Sequence, residues 1–299
     1  MILPEFSEFF HGEARLHLMS VLERALAEDG PDLTTDGVFA PTDRLQAVIV
    51  AKEHTLVAGL PVIPLVMDLC AARPAELDYA WQSLTKEGST VQAGFTVARL
   101  VGPARQVLRA ERVILNFVSH LSGIANLTQQ YVDALQGTGV QLLDTRKTLP
   151  GMRYPEKYAV LCGGGRNHRR NLSEMLMLKD NHIDAAGSIT QAVAALRKRY
   201  TPCPPIEVEC RTADDVREAV ACKVNRVMMD NMTPDTLNTV LPLVPRSIEI
   251  EVSGGVTLDT IRAYATPGSR QPDFISVGRI THSAASADFS MRIAKEPAL

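Results

Sequence analysis

The sequence predicts an α/β protein in which a mixed region of strands and helices is followed by a barrel of parallel strands. Short apolar runs recur six times between residues 141 and 280, and helical patterns such as Ser188 to Tyr200 separate them. Charged residues or glycines close each apolar run. This alternation is typical of parallel βα units, whose ligand sites lie at the carboxyl ends of the strands.

The first third of the chain contains elements of both kinds. Apolar residues at helical spacing predict an amphipathic helix over residues 13–28. An apolar helix over residues 60–72 is expected to open at Pro61. Three further runs read as strands, at residues 45–53, 77–84 and 95–102.

A long helical pattern begins after Pro103. Gly123 is expected to end this helix, and a second helix is expected to reach about Leu135. We place the domain boundary within this region. The predicted domains are residues 1–115, to which the carboxyl-terminal tail is expected to return, and residues 116–299.

Composition argues against several classes of protein. The chain has 299 residues, a formal net charge of −3 and only 5% aromatic residues, so neither nucleic acid nor a membrane is expected as a partner. Its first residues show no signal peptide, and no uncharged apolar run is long enough to cross a bilayer. Five irregularly spaced cysteines predict reduced thiols. We therefore expect a cytoplasmic protein.

Positive charge is concentrated in one segment. Between Arg146 and Arg170 there are seven bases and one acid, interleaved with glycines. A solvated helix face would not require those glycines. Cations brought together from separate loops suit a ligand with several negative charges, such as two carboxylates or a pyrophosphate. The candidates are Arg146, Lys147, His168, Arg169 and Lys179.

Acids and glycines close other predicted strands. Glu209 and Asp230 could hold Mg²⁺, accept hydroxyl hydrogen bonds, stabilise a positive transition state, or form structural salt bridges with the nearby bases. Spacing alone leaves open whether Glu207 or Glu209 points into the barrel. The turns Ser253-Gly254-Gly255 and Gly278-Arg279 suit a phosphate, because their backbone N–H groups are accessible.

Three segments in this order carry a resemblance to a known family: DTRKTLPG from Asp144, GGGRNHRR from Gly163 and KDNH from Lys179. The chain resembles the quinolinate phosphoribosyltransferases over nearly its whole length. The resemblance implies an amino-terminal α/β sandwich domain, an open, incomplete α/β barrel of about six to seven parallel strands, and a homodimer with a shared active site. It implies that quinolinate and phosphoribosyl pyrophosphate give nicotinate mononucleotide, pyrophosphate and CO2, with Mg²⁺.

The resemblance also implies residue roles. Arg112 would reach across the dimer to quinolinate in the partner's site. The two carboxylates of quinolinate would be held by Arg146, His168, Arg169 and Lys179. The implied catalytic residues are Lys147, at the pyrophosphate, and Glu209 and Asp230, at the ribose hydroxyls. The full set for phosphoribosyl pyrophosphate is Thr145, Lys147, Lys179, Glu209, Asp230, Ser253, Gly254, Gly255, Gly278 and Arg279. No protein ligand is assigned to Mg²⁺.

Three alternatives remain. A paralogue associated with molybdate transport shares DTRKT but is expected to lack the KDNH segment, and a nicotinate-using phosphoribosyltransferase should need fewer cations. An RNA-binding protein would use residues 166–170 as a basic patch, which the acidic net charge disfavours. One departure from the family pattern is Asn171, where many members have a glycine after the His-Arg pair.

Overall fold

The structure is a computed structural model, and it describes residues 3–71, 78–268 and 270–294. Two compact units are present. The first unit comprises Met1–Thr128, Thr148–Gly164 and Ile280–Leu299, and the second comprises Gln129–Lys147 and Gly165–Arg279. The predicted domain boundary between residues 115 and 116 stays a prediction.

Helices and strands alternate along most of the chain. The helices are α1 (Phe6–Phe9), α2 (Gly12–Asp29), α3 (Leu33–Val38), α4 (Val62–Cys70), α5 (Ala104–Ala134), α6 (Arg153–Cys162), α7 (Asp180–Ala186), α8 (Ile189–Arg199), α9 (Ala213–Ala221), α10 (Pro234–Val240), α11 (Ile261–Ala265) and α12 (Arg279–His282). A short 3-10 helix (Leu241–Leu243) follows α10. The strands are β1 (Arg44–Ala51), β2 (Thr55–Leu56), β3 (Ala80–Ser83), β4 (Thr90–Val91), β5 (Thr96–Pro103), β6 (Gln141–Leu143), β7 (Leu176–Leu178), β8 (Ile206–Cys210), β9 (Arg226–Asp230), β10 (Glu249–Ser253), β11 (Phe274–Ser276) and β12 (Phe289–Ile293).

The first unit contains an antiparallel sheet with strand order β12-β1-β5-β3. Ile49 of β1 lies opposite Ala98 of β5 and Met291 of β12, so the last strand of the chain returns to this sheet. The helix predicted over residues 13–28 is α2, and Leu22 and Leu26 of the predicted apolar face are buried. Leu16, which the pattern assigned to that face, is 72% exposed, and Leu18 is completely buried instead. The predicted mixture of sheet and helix is confirmed. Residues 72–77, included in a predicted helix and strand, lie outside the described residues.

The expected break at Gly123 is wrong, because α5 is one continuous helix through this position. A Cβ on residue 123 would collide with the carbonyl oxygen of Ala285 in the same unit. Glycine is therefore required here for close approach of another backbone segment, and the helix tolerates it.

The second unit is built on a parallel sheet with strand order β6-β11-β10-β9-β8-β7. A parallel bridge between Leu143 and Arg166 extends this sheet by one more segment at the β6 edge. The predicted open barrel of about six to seven parallel strands is confirmed. Side-chain hydroxyls of Ser188, Thr212 and Thr233 cap the amino ends of α8, α9 and α10.

One face of this sheet carries charged residues at alternate positions, and it forms the barrel interior. Glu207 and Glu209 of β8 share this face, while Val208 between them is completely buried on the other side. Glu251 of β10 and Ser253 repeat the pattern. Among the described residues, no helix is both long and apolar enough to cross a membrane.

Candidate active site

The predicted site residues follow the carboxyl ends of neighbouring parallel strands. Every one except Arg112 belongs to the second unit, whereas Arg112 lies exposed on α5 in the first unit. Thr145, Arg146 and Lys147 come just after β6, and Lys179 directly follows β7. Glu209 lies near the end of β8, while Asp230 and Ser253 are the last residues of β9 and β10. The strand order therefore places these residues along one edge of the sheet, as predicted.

Lys179 and Glu209 form an ion pair between adjacent strands. The Nζ of Lys179 lies 3.0 Å from Oε2 of Glu209, and the Glu209 side chain is 11% exposed. Glu207 shares the same face of β8 but lies one layer deeper, at 0% exposure. The question left open by the sequence is thereby answered: both side chains point into the barrel, and Glu209 is the one at its rim.

Arg169 spans the open side of the barrel. It follows the segment beside β6, yet its Nη1 donates to the carbonyl of Met175 at 3.0 Å and its Nη2 to the sulfur of Met177, in β7, at 3.4 Å. Burial, and next the positive charge of Arg146, lower the pKa of Arg169. Two guanidinium groups close enough to repel each other favour an anion between them.

His168 contacts protein groups through both ring nitrogens. Its Nε2 lies 3.1 Å from a carboxylate oxygen of Glu207 and 3.3 Å from one of Glu251. Its Nδ1 accepts a hydrogen bond from the backbone N–H of Arg169 at 2.6 Å. The side chain is 4% exposed. The predicted role of His168 as a direct ligand of quinolinate stays a prediction, and the ring faces inward.

These buried groups share protons. Burial and the neighbouring Glu251 carboxylate raise the pKa of Glu207 to about 7. Burial acts against ionisation of Glu251 as well, but hydrogen bonding from His168 outweighs it and lowers the Glu251 pKa. Burial alone would lower the pKa of His168, yet its hydrogen bonds to the two carboxylates raise it. The Arg169 N–H occupies Nδ1, so the ring has no site for a second proton. The cluster therefore keeps Glu251 ionised and holds its additional proton on Glu207.

Arg226 completes this buried cluster at the amino ends of the strands. Its Nη1 lies 3.2 Å from Glu251, and its Nη2 lies 2.8 Å from the more exposed Glu249. The guanidinium also stacks over the ring of Phe274 at 4.3 Å. Sequence reasoning missed Arg226 and Glu251. The available signal was the alternation of acids within the runs IEVEC and IEIEVSGG, because charged residues repeat on one face of a strand there.

The glycine turn after β10 is shaped by a close backbone approach. Gly254 and Gly255 have φ values of 97° and 64°, in the left-handed region. A Cβ on Gly254 would collide with the side chain of Asn231, whose own N–H donates to the carbonyl of Ser253 at 2.9 Å. Only glycine fits at position 254, and the turn leaves its backbone near the rim.

The other bases of the basic segment diverge. Arg166 lines a cavity of about 620 Å³ with Gln141, Glu249 and Phe274, at the amino ends of the strands. Arg170 pairs with Glu174 at 2.6 Å. A continuous basic patch over residues 166–170, as the RNA-binding alternative requires, is therefore not formed. Asn171 does not adopt a positive φ, so glycine is not required at that position.

Comparisons with known proteins agree with this geometry. The profile of the quinolinate phosphoribosyl transferase N-terminal domain matches residues 32–122, and that of the C-terminal domain matches residues 124–292. The chain is 40% identical to a probable nicotinate-nucleotide pyrophosphorylase [carboxylating] of Bacillus subtilis, over 93% of this chain and 94% of that protein. It is 42% identical to a protein of the same description from Synechocystis, over 92% of each.

Solved structures show the same similarity. NadC from Streptococcus pyogenes superimposes with a TM-score of 0.85 and 37% identity, covering 94% of this chain and 98% of that one. The fold and these comparisons define an α/β-barrel phosphoribosyltransferase. The chain belongs to the quinolinate phosphoribosyltransferase family.

Proposed function

We propose that the protein transfers the phosphoribosyl group of phosphoribosyl pyrophosphate to quinolinate and releases pyrophosphate and CO2, giving nicotinate mononucleotide for NAD synthesis. The observation that carries this proposal is that the positive charge of Arg146, which follows β6, lowers the pKa of Arg169, while Lys179 and Glu209 form an ion pair at the same edge of the sheet. Adjacent guanidiniums are suited to a ligand with two carboxylates, because each planar fork can bind one carboxylate in a bidentate manner.

Quinolinate would be held by Arg146, Arg169 and Lys179. Phosphoribosyl pyrophosphate would lie over the ends of β8 to β11, with its 5′-phosphate at the glycine turn after Ser253 and at Gly278 and Arg279. Lys147, which is exposed, and Thr145 would contact the pyrophosphate. This order of subsites follows the order of the strands in the sheet.

Catalysis would depend on positioning and electrostatics rather than on a nucleophilic side chain. As pyrophosphate departs, positive charge develops on the ribose, and the carboxylates of Glu209 and Asp230 stabilise it. Lys147 offsets the negative charge of the leaving group. Alkylation leaves the pyridine nitrogen positive, so it accepts the electrons freed when the adjacent carboxylate is lost as CO2; a proton from solvent then replaces CO2 on the ring.

Mg²⁺ would enter with phosphoribosyl pyrophosphate and be held by its pyrophosphate oxygens. Glu209 is not needed as a ligand of Mg²⁺ in this arrangement, because its carboxylate already forms an ion pair with Lys179. Bound Mg²⁺ would neutralise charge on the leaving pyrophosphate. We assign no protein residue to it.

We also propose a homodimer in which Arg112 acts in the active site of the partner subunit. Its exposure on α5 supports this role, since a surface arginine is accessible to a second chain. The cytoplasm remains the proposed compartment, in agreement with five free cysteines.

A nicotinate-using enzyme is the main alternative among the phosphoribosyltransferases. Its substrate has one carboxylate, so it would not need both Arg146 and Arg169. The Lys179-Asp180-Asn181-His182 segment is intact and carries the rim ion pair, which disfavours the molybdate-associated paralogue.

The deciding experiment is an assay with quinolinate, phosphoribosyl pyrophosphate and Mg²⁺ that detects CO2 release from labelled quinolinate. We expect CO2 release that depends on all three components. Product formation with nicotinate but not with quinolinate would contradict the proposal.

A further inference from the structure

The middle layer of the barrel interior is ionic, although such interiors are usually filled by branched apolar side chains. Glu207 and Glu251 are 0% exposed, and His168 is 6% exposed. Burying charged groups is costly unless they are paired. A cluster of this kind inside a catalytic barrel therefore calls for a function, and none of the proposed roles above uses Glu251 or Arg226.

The cluster forms a continuous path of contacts from the amino ends of the strands to the rim. Arg226 contacts Glu251 at 3.2 Å, and Glu251 contacts Nε2 of His168 at 3.3 Å. On the opposite side of the ring, Nδ1 accepts the backbone N–H of Arg169 at 2.6 Å. We propose that Glu251 is a positioning residue for quinolinate: it anchors His168, which in turn fixes the backbone of Arg169 so that the guanidinium meets a substrate carboxylate.

This role depends on which ring nitrogen carries the proton. A nitrogen that accepts the Arg169 N–H must present a lone pair, so the ring proton lies on Nε2 and points at the carboxylates. Charged groups approach from three neighbouring strands: Glu207 from β8, Arg226 from β9 and Glu251 from β10. The backbone N–H of His168 donates to Asp144 at 2.8 Å, which fixes the loop from the β6 side.

A divalent cation is the other possible occupant, since His168, Glu207 and Glu251 have the composition of a metal site. The charge of Arg226 disfavours it, because its guanidinium already neutralises one of the two acids. With a proton on Glu207 and a neutral ring on His168, the charges of Arg226 and Glu251 cancel, and these four groups together are electrically neutral. The proton rather than a metal is therefore the occupant we infer.

The test compares two carboxylates on the same arginine, and it rests on the proposed function because quinolinate is the substrate measured. Glu251→Gln removes the charge that anchors His168. Glu249→Gln is the matched control, because Glu249 also binds Arg226 but is 53% exposed and lies on the far side from the ring. We expect Glu251→Gln to raise KM for quinolinate roughly 10- to 100-fold, while KM for phosphoribosyl pyrophosphate changes less than about twofold. Glu249→Gln should leave both unchanged.

Equal KM values for quinolinate in wild type and Glu251→Gln would overturn the inference while leaving the proposed function intact. Absence of quinolinate turnover in the wild type would instead refute the proposed function. In case Glu251→Gln does not fold, nitrogen-15 NMR of histidine-labelled wild-type enzyme provides an independent test. We expect His168 to carry its proton on Nε2 with Nδ1 unprotonated at neutral pH. A protonated Nδ1, or one metal ion per chain by elemental analysis, would overturn the inference.

Discussion

Lys179 and Glu209 are joined by a 3.0 Å contact between the ends of β7 and β8. This ion pair joins a residue proposed to bind quinolinate to one proposed to stabilise the ribose. The two substrates would therefore meet where the pair lies. Removal of Lys179 leaves Glu209 with an uncompensated charge at the rim, so the effects of the two residues on catalysis should not be additive.

Arg146→Ala should abolish quinolinate binding and spare the affinity for phosphoribosyl pyrophosphate, because only the diacid needs the paired guanidiniums. Titration calorimetry with each substrate in turn measures both affinities. Arg170→Ala is the control, since Arg170 pairs with Glu174 and should leave both affinities unchanged. Equal loss of the two affinities in Arg146→Ala would show that the subsites are misassigned.

Mixing Arg112→Ala with Lys179→Ala should restore activity if Arg112 serves the partner's active site. Each homodimer is expected to be inactive, whereas a hybrid dimer contains one site with both residues intact. Activity after subunit exchange, followed with two affinity tags, is the measurement. No recovery despite proven exchange would contradict the cross-dimer role of Arg112.

Glu207 should make stability depend on pH. Burial and Glu251 raise the pKa of Glu207 to about 7, so the folded state binds its proton more tightly than the unfolded state does. Its contribution is full below the unfolded pKa of about 4.5 and is lost as pH rises through about 7. Glutamine resembles the protonated acid but cannot lose a proton. The unfolding free energy of Glu207→Gln should therefore fall less than that of the wild type as pH rises from about 4.5 through about 7. Denaturant unfolding at several pH values tests this, and identical pH profiles would count against it.

Gly254→Ala should lower stability more than Gly255→Ala. Both positions have positive φ, and alanine there costs about 1–2 kcal/mol. Only at Gly254 would the new methyl group also collide with Asn231, whereas the position above Gly255 is open. Thermal unfolding of the two variants separates backbone strain from collision. A larger loss of thermal stability in Gly255→Ala than in Gly254→Ala would contradict the collision with Asn231 inferred for residue 254.

Sequence periodicity was sufficient for the parallel strands and for the rim, because each strand ends where its apolar run meets charged residues. It failed at Gly123, where a local rule about glycine was overridden by the approach of Ala285 from a distant part of the chain. It also failed for Glu251 and Arg226, which lie inside strands. The contact of Glu251 with His168 and that of Arg226 with Glu251 depend on how the sheet curves, and the spacing of residues along one strand contains no information on curvature.

The weak hydrogen bond between Arg169 and Met177 makes it easy for a substrate carboxylate to bind Arg169. Its Nη2 donates to the thioether sulfur of Met177, which is a poor acceptor. An incoming carboxylate thus replaces a feeble contact rather than a strong one. The Arg169 side chain is already extended across the barrel, and replacing its contact with the Met177 sulfur by a contact with a substrate carboxylate costs little free energy.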